Sequence, residues 1–303
     1  MIGRSATLFA VLLAIGAEAA AQRRGNELVV TGDGVVAATV NGVSGRIRID
    51  PAVRALPLLS PGWARRAGLR AGPFGFGYMV GPLQVDGVTT VTRIAVGPGA
   101  RALRRRVGWT ARPFADNADG VIGPGGMPHQ VIRFVLRGPR PGERTTALPL
   151  IREGGIFASW GAMYALVDVG GVPLRVRFDA NHPRTLATAG AAVRLAQAHD
   201  GRIQGEAEPV EIAFGIRRPV RMLRLARPLS IGPLSLSSLG VRMADFGNAA
   251  SIREANADPD EIVVTGQGRR RDADRLTLGA DVLDRCSSIV FDKSAWQIRL
   301  TCA

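Results

Sequence analysis

VGGVPLRVRFDANHPRTLATAGAAVRLAQAHDG, running from Val169 to Gly201, decides the fold class. It opens with a Gly-Gly turn between two apolar runs, a hairpin signal. Leu174-Arg175-Val176-Arg177-Phe178 then alternates apolar and charged residues with the period of a strand. The strand delivers one carboxylate, Asp179, into a polar turn, and the Ala-rich run from about Thr188 to His199 predicts a helix. The same unit occurs earlier. VNGVSGRIRIDPA, Val40 to Ala52, aligns without a gap on VGGVPLRVRFDAN, Val169 to Asn181, with Val, Gly, Val, Arg, Arg and Asp identical. Two copies of a strand ending in Asp, a domain's length apart, imply a duplicated fold. Asp50 and Asp179 are therefore the first candidates for a shared site.

Around these units the chain of 303 residues has room for two lobes, each with its own core. Its 38 Gly and 19 Pro imply many turns, and mainly β structure with little helix. The expected division is a segment 1–21 removed on export, an N-terminal lobe over 22–145, a connector over 146–164 and a C-terminal lobe over 165–303. Formal charge is +14, and Lys293 is the only lysine among 39 basic residues. The arginines are spread along strands: by alternation Arg46, Arg48, Arg175 and Arg177 belong to a solvated face. The short runs Arg104-Arg105-Arg106 and Arg269-Arg270-Arg271 lack interleaved aromatics, which argues against a nucleic-acid partner.

Arg4, the apolar run Ala6 to Ala17 and the small residues through Ala21 have the form of a secretory signal. They predict a periplasmic or secreted protein with no transmembrane span in the mature chain. Cys286 and Cys302 flank CSSIVFDKSAWQIRLTC, which reads as strand, turn at Asp292 to Ala295, and strand. A hairpin centred on Ser294 sets the two cysteines opposite each other, within reach of a disulfide. An oxidising compartment favours that bond, as a structural one, since there is no C-x-x-C.

Along the chain, Glu27 to Val40 reads as a strand pair turning at Gly32-Asp33-Gly34, and Trp63 to Leu69 as a short helix. Phe74-Gly75-Phe76-Gly77-Tyr78 reads as a mobile, aromatic-tipped loop. Val121-Ile122-Gly123 and Thr277-Leu278-Gly279 recur late in the two halves. Residues 247–275 form a polar stretch with little that could pack; within it DEIVVTGQG, Asp260 to Gly268, echoes NELVVTGDG, Asn26 to Gly34. The three histidines lack ligand spacing, and no metal or other cofactor is called for.

The doubled hydrophobic-x-hydrophobic-Asp unit, the later hydrophobic-hydrophobic-Gly and the ending LGADVLDRCSSIVFDKSAWQIRL resemble bacterial exported retropepsin-like aspartic peptidases over about residues 35–140 and 165–301. That resemblance implies an all-β fold of two duplicated acid-protease-like barrel lobes, with one short helix each. It also implies one catalytic carboxylate per lobe, Asp50 and Asp179, in a cleft that takes an extended peptide or protein. Two close carboxylates share one proton, so one can act as base on water while the other polarises the peptide carbonyl. The family's Asp-Thr-Gly or Asp-Ser-Gly turn is replaced by Asp50-Pro51-Ala52 and Asp179-Ala180-Asn181. Pro51 and Ala180 bring no hydroxyl to cross-link the turns, and Ala52 and Asn181 stand where the family has Gly. Two functions follow from this: peptide-bond hydrolysis by water activated between Asp50 and Asp179, or a non-catalytic module binding a peptide or an anionic envelope polymer.

Overall fold

The computed structural model describes residues 27–153, 160–243, 245, 249–255 and 274–303. The segment 1–21, residues 22–26 and the second VVTG stretch, Asp260 to Gly268, lie outside these residues. The first half contributes β1 (Glu27–Val30), β2 (Val35–Val40), β3 (Val43–Ile49), β4 (Leu58–Leu59), β5 (Gly75–Val80), β6 (Leu83–Val96), β7 (Leu103–Thr110), β8 (Gly120–Ile122) and β9 (Val131–Val135). The second contributes β10 (Arg144–Arg152), β11 (Met163–Val169), β12 (Val172–Phe178), β13 (Leu186–Thr188), β14 (Gly201–Ala213), β15 (Ile216–Ile231), β16 (Leu234–Arg242), β17 (Arg275–Leu278), β18 (Cys286–Asp292) and β19 (Gln297–Cys302). Among the described residues three α-helices interrupt them: α1 (Pro61–Arg66), α2 (Ala189–His199) and α3 (Ala280–Leu283). The chain is all-β and duplicated.

The duplication is visible strand by strand. The first lobe orders its sheet β2-β3-β8-β4-β7-β6-β5, and a β2–β6 pairing curls it towards a barrel. The second lobe repeats the order as β11-β12-β17-β13-β16-β15-β14. Orientations match too: β3 runs parallel to β8 as β12 does to β17, and β4 antiparallel to β8 as β13 does to β17. The two hairpins turn at Asn41-Gly42 and Gly170-Gly171, all four residues at positive φ. Such a two-residue turn matches the right-handed strand twist, which is why both repeats spend Gly there. Beneath the lobes, β9 of the first half pairs antiparallel with β18 of the second, so one sheet runs continuously through the seam.

Helix placement follows local chemistry. Ser60 caps α1 by accepting the Trp63 N–H at 3.1 Å, with Pro61 in the first turn. The helix therefore starts before the expected Trp63 and ends at Arg66. Trp63 is fully buried on Gly45, where an added Cβ would lie 2.5 Å from the ring, and its indole N–H donates to the Val43 carbonyl at 3.2 Å. The expected helix from Thr188 runs Ala189–His199 and stops at Asp200, which takes a left-handed conformation. Its small buried face, Ala189, Ala191, Ala192 and Ala196 with Leu195, packs among the second lobe's strands. The second lobe also has α3, one helical turn beyond the single helix expected for each lobe.

Four local expectations are corrected. Β1 and β2 do not form a hairpin at Gly32-Asp33-Gly34: β1 pairs parallel with β9 in the large sheet, and β2 with β3 in the other. Phe74 to Tyr78 is not a loop, because Gly75–Val80 is an edge strand paired residue by residue with β6. Arg177 is not on a solvated face: it is 8% exposed and donates to the Tyr164 hydroxyl at 2.7 Å. Within the polar stretch 247–275, Ala249 and Ile252 are buried in the core, and Arg275 already belongs to β17. The disulfide Cys286–Cys302 is present. Its hairpin pairs Asp292 with Gln297, half a residue beyond a Ser294 centre, and a bulge between Cys286 and Ser288 restores the pairing of the cysteines.

The tightest packing lies where the parallel strand pairs end. A Cβ on Gly123 would sit 1.9 Å from the Val53 carbonyl oxygen, and one on Gly279 would sit 2.4 Å from that of Arg184. Gly123→Ala and Gly279→Ala should each cost about 3 kcal/mol or more, the first more than the second, because backbone cannot yield as a side chain can. Gly138→Ala, with nothing near its Cβ position, should stay within about 0.5 kcal/mol. Urea midpoints of the three variants check the ranking. Equal costs for all three would contradict it.

Candidate functional site

Each repeat hands its carboxylate to the same structural position. The Asp50 N–H donates to the Ile122 carbonyl at 2.9 Å, and the Asp179 N–H donates to the Leu278 carbonyl at 2.8 Å. Both chains then turn with one pattern. Val53 N–H reaches the Asp50 carbonyl at 3.2 Å, and His182 N–H the Asp179 carbonyl at 3.2 Å. In each turn the N–H two residues on points at the carboxylate: Ala52 N–H to Asp50 Oδ1 at 2.7 Å, Asn181 N–H to Asp179 Oδ1 at 3.2 Å. His182 N–H adds a second donor to Asp179 Oδ1 at 3.1 Å.

These contacts explain how the altered turns hold. Neither Ala52 nor Asn181 is among the residues at positive φ, so neither position needs Gly. Pro51 sits second in its turn, where its fixed φ fits and no N–H is required. The hydroxyl cross-link that Pro51 and Ala180 cannot make has no direct counterpart. In its place the Asn181 amide crosses between the lobes and donates from Nδ2 to Asp50 Oδ2 at 3.0 Å. The sequence marked Asn181 as a Gly replacement; its role as the cross-lobe donor depends on a partner in the other repeat and has no local signature.

Burial raises both acids. Asp50 is 3% exposed, and burial, followed by the Asp179 charge, pushes its carboxyl up to about 7. The Ala52 N–H, the Arg48 charge and the Asn181 amide oppose that rise without cancelling it. Asp179 is half-buried, and its carboxyl is also raised by burial, against the opposing charges of His182 and Arg177. Both carboxyls are thus held above the ordinary carboxylate range, burial being the first cause for each, and the pair titrates as a unit. Among the described residues no three His, Cys, Asp or Glu side chains converge as metal ligands would.

The space over the pair is small and closed by aromatics. A cavity of about 50 Å³ touches Asp179, Ala52, Tyr78, Phe114 and His182, enough for one or two waters. Tyr78 of β5 and Phe114 of the first lobe meet Phe214 of the second edge to face, Tyr78–Phe214 and Phe114–Phe214 both at 5.0 Å between ring centres. The tip of the β5–β6 hairpin also reaches across: a Cβ on Gly81 would lie 3.0 Å from Asp245 Cγ. Asp245 is fully buried and paired with Arg242, whose guanidinium burial pushes down to about 10. Tyr78 and the tip of the β5–β6 hairpin thus form a lid seated on the second lobe.

The raised Asp50 carboxyl sets a sign for stability. Between about 4 and 7 the folded chain binds a proton that the unfolded chain has released, so stability falls as pH rises through that window. Asp50→Asn removes the penalty and keeps the shape. It should raise the urea-unfolding free energy at pH 8 by about 2–4 kcal/mol more than at pH 4. An equal effect at both pH values would show that Asp50 is not held above the ordinary carboxylate range.

No protein-family model matches the chain, and no curated protein matches it. Among solved structures the chain is similar to the crystal structure of the aspartic proteinase from Irpex lacteus, at 10% sequence identity and a TM-score of 0.43, over 89% of this chain and 94% of that one.

Proposed function

We propose that the chain is an exported, aspartic-peptidase-like protein that holds an extended peptide between its lobes and does not cleave it efficiently. The contact between Asn181 Nδ2 and Asp50 Oδ2 carries this reading. Hydrolysis needs a water held by both carboxylates. Here one Asp50 oxygen takes the Ala52 N–H and the other takes the Asn181 amide, so the protein already supplies a donor to each. Binding fits the β5 edge strand, which offers unpaired backbone groups to a peptide laid beside it once the lid lifts from Asp245 and Phe214. The signal-like start and the Cys286–Cys302 disulfide support a periplasmic or secreted setting. A charge of +14 suits an anionic envelope component as a further partner.

A specific observation favours hydrolysis as the second reading. Asp50 is raised to about 7 beside Asp179, and both turns keep the N–H donor two residues on. With one proton on the pair, the ionised carboxylate would take a proton from water as the protonated one bonds to the peptide carbonyl.

Fluorescein-labelled casein separates the two. Wild-type protein should raise its anisotropy, Asp179→Asn should do so equally, and neither should release acid-soluble fragments faster than the Asp50→Asn, Asp179→Asn double variant from acid to neutral pH. Release by the wild type that Asp179→Asn lowers by about a hundredfold would establish hydrolysis instead. Neither binding nor release would reject both.

A further inference from the structure

A second concavity, sharing no lining residue with the cavity at Asp179, lies between the start of β7 and the turn Gly126-Met127-Pro128. It encloses about 470 Å³, with Trp160 and Leu103 among its walls, in the size range of small-molecule sites. Arg104, Arg105 and Arg106 all line it. Lys293 reaches its edge and donates to the Met127 carbonyl at 2.7 Å. Arg105 gives two of its five N–H donors to the carbonyls of Gly126 and Ala55, and Arg106 donates to Thr89 Oγ1 at 2.9 Å. The Arg106 guanidinium also lies 5.1 Å from the Phe74 ring centre and 5.4 Å from that of Trp160.

What this cluster lacks is a counter-charge. Among the described residues no carboxylate is within ion-pair distance of Arg104, Arg105, Arg106, Arg152 or Lys293. The acids next in sequence are engaged elsewhere, Glu153 with Arg54 and the Ala162 N–H, Asp292 with Ser294, Ala295 and Arg299. The crowding registers on Lys293, whose ammonium is pushed down to about 8 by burial and then by Arg152 and Arg105. His129 is lowered as well, by burial and then by Lys293. Cations gathered around a partly apolar hollow, with no carboxylate of the described residues in ion-pair distance, are arranged as a receptor for negative charge.

We propose that this groove binds a polyvalent anion bearing carboxylate or phosphate groups, held between Arg104, Arg105 and Lys293, with any apolar part of the ligand against Trp160 and Leu103. This does not depend on whether the Asp50–Asp179 pair cleaves or only binds peptide.

Lys293 is the only lysine in the chain, so an amine-directed reagent with mapping of residue 293 reports on the groove directly. Inorganic pyrophosphate and citrate serve as probes, each compared with sodium chloride at equal ionic strength. Bound anion should slow labelling of Lys293 and move the onset of its reactivity to higher pH. Protection by pyrophosphate alone assigns phosphate, by citrate alone carboxylate, and by both the shared anionic chemistry. Arg104 is exposed and its side chain has no hydrogen bond or ion pair among the described residues, so Arg104→Glu should fold and weaken protection about tenfold or more. Arg140→Glu, an exposed arginine that does not line the groove, should leave protection intact. Protection no greater than sodium chloride gives, or unchanged by Arg104→Glu, overturns the proposal.

Discussion

The close approach of two glycines to crossing backbone holds both halves of the site in place. Gly123 fits under the carbonyl of Val53, and its N–H donates to that of Arg54 at 2.8 Å. Gly279 fits under the Arg184 carbonyl, and its N–H donates to Thr185 Oγ1 at 2.9 Å. Only a residue without Cβ allows this, and in each lobe it lets the segment after the aspartate cross closely over the end of the parallel strand pair. Those parallel pairs give the carbonyls of Ile122 and Leu278 to the N–H groups of Asp50 and Asp179, so the acids inherit their positions from the glycines. The support extends one layer further in the second lobe, where Asp281 accepts from the Thr185 N–H at 2.9 Å and its hydroxyl at 2.7 Å.

Given that frame, the chemistry turns on what the turns carry. The backbone donors to both carboxylates come from N–H groups that any residue at those positions except Pro would offer. The side chains do not survive as a symmetric pair. Asn181 alone reaches across, from the second repeat to the first, which makes a duplicated site unequal. Asp50 is buried and tied to the other lobe, raised by burial and by the Asp179 charge against the pull of the Asn181 amide, and Asp179 faces the small cavity. An amide can meet Asp50 in either charge state, donating from its NH2 to a carboxylate or accepting through its oxygen from a carboxylic acid. The link between the lobes is thus kept while the acid titrates.

Much of this was legible in the sequence for a physical reason: alternation, hairpin glycines and a strand-ending Asp are local, and the repeat confirmed each copy by the other. The Ala-rich helix and the cysteine hairpin are local as well. What was not legible depends on distant partners. Gly32-Asp33-Gly34 has hairpin chemistry, yet β1 finds its partner in β9, about a hundred residues on. Alternation places Arg177 on the outer face of a hairpin, but Tyr164 of the neighbouring strand turns that face inward. Phe74 to Tyr78 looks mobile because of its glycines; Gly87 and Gly108, opposite it, are the space into which Phe76 packs. Asn181 bonds a residue in the other repeat, which no window of sequence contains.

The most direct check is a crystal structure at high resolution, taken at mildly acidic pH, of the immediate surroundings of Asp50 and Asp179. The account predicts the Asn181 amide within hydrogen-bonding distance of Asp50 and no water touching both carboxylates. Asn181 turned away, with one water bound equally by Asp50 and Asp179, would contradict it and put a hydrolytic pair in its place.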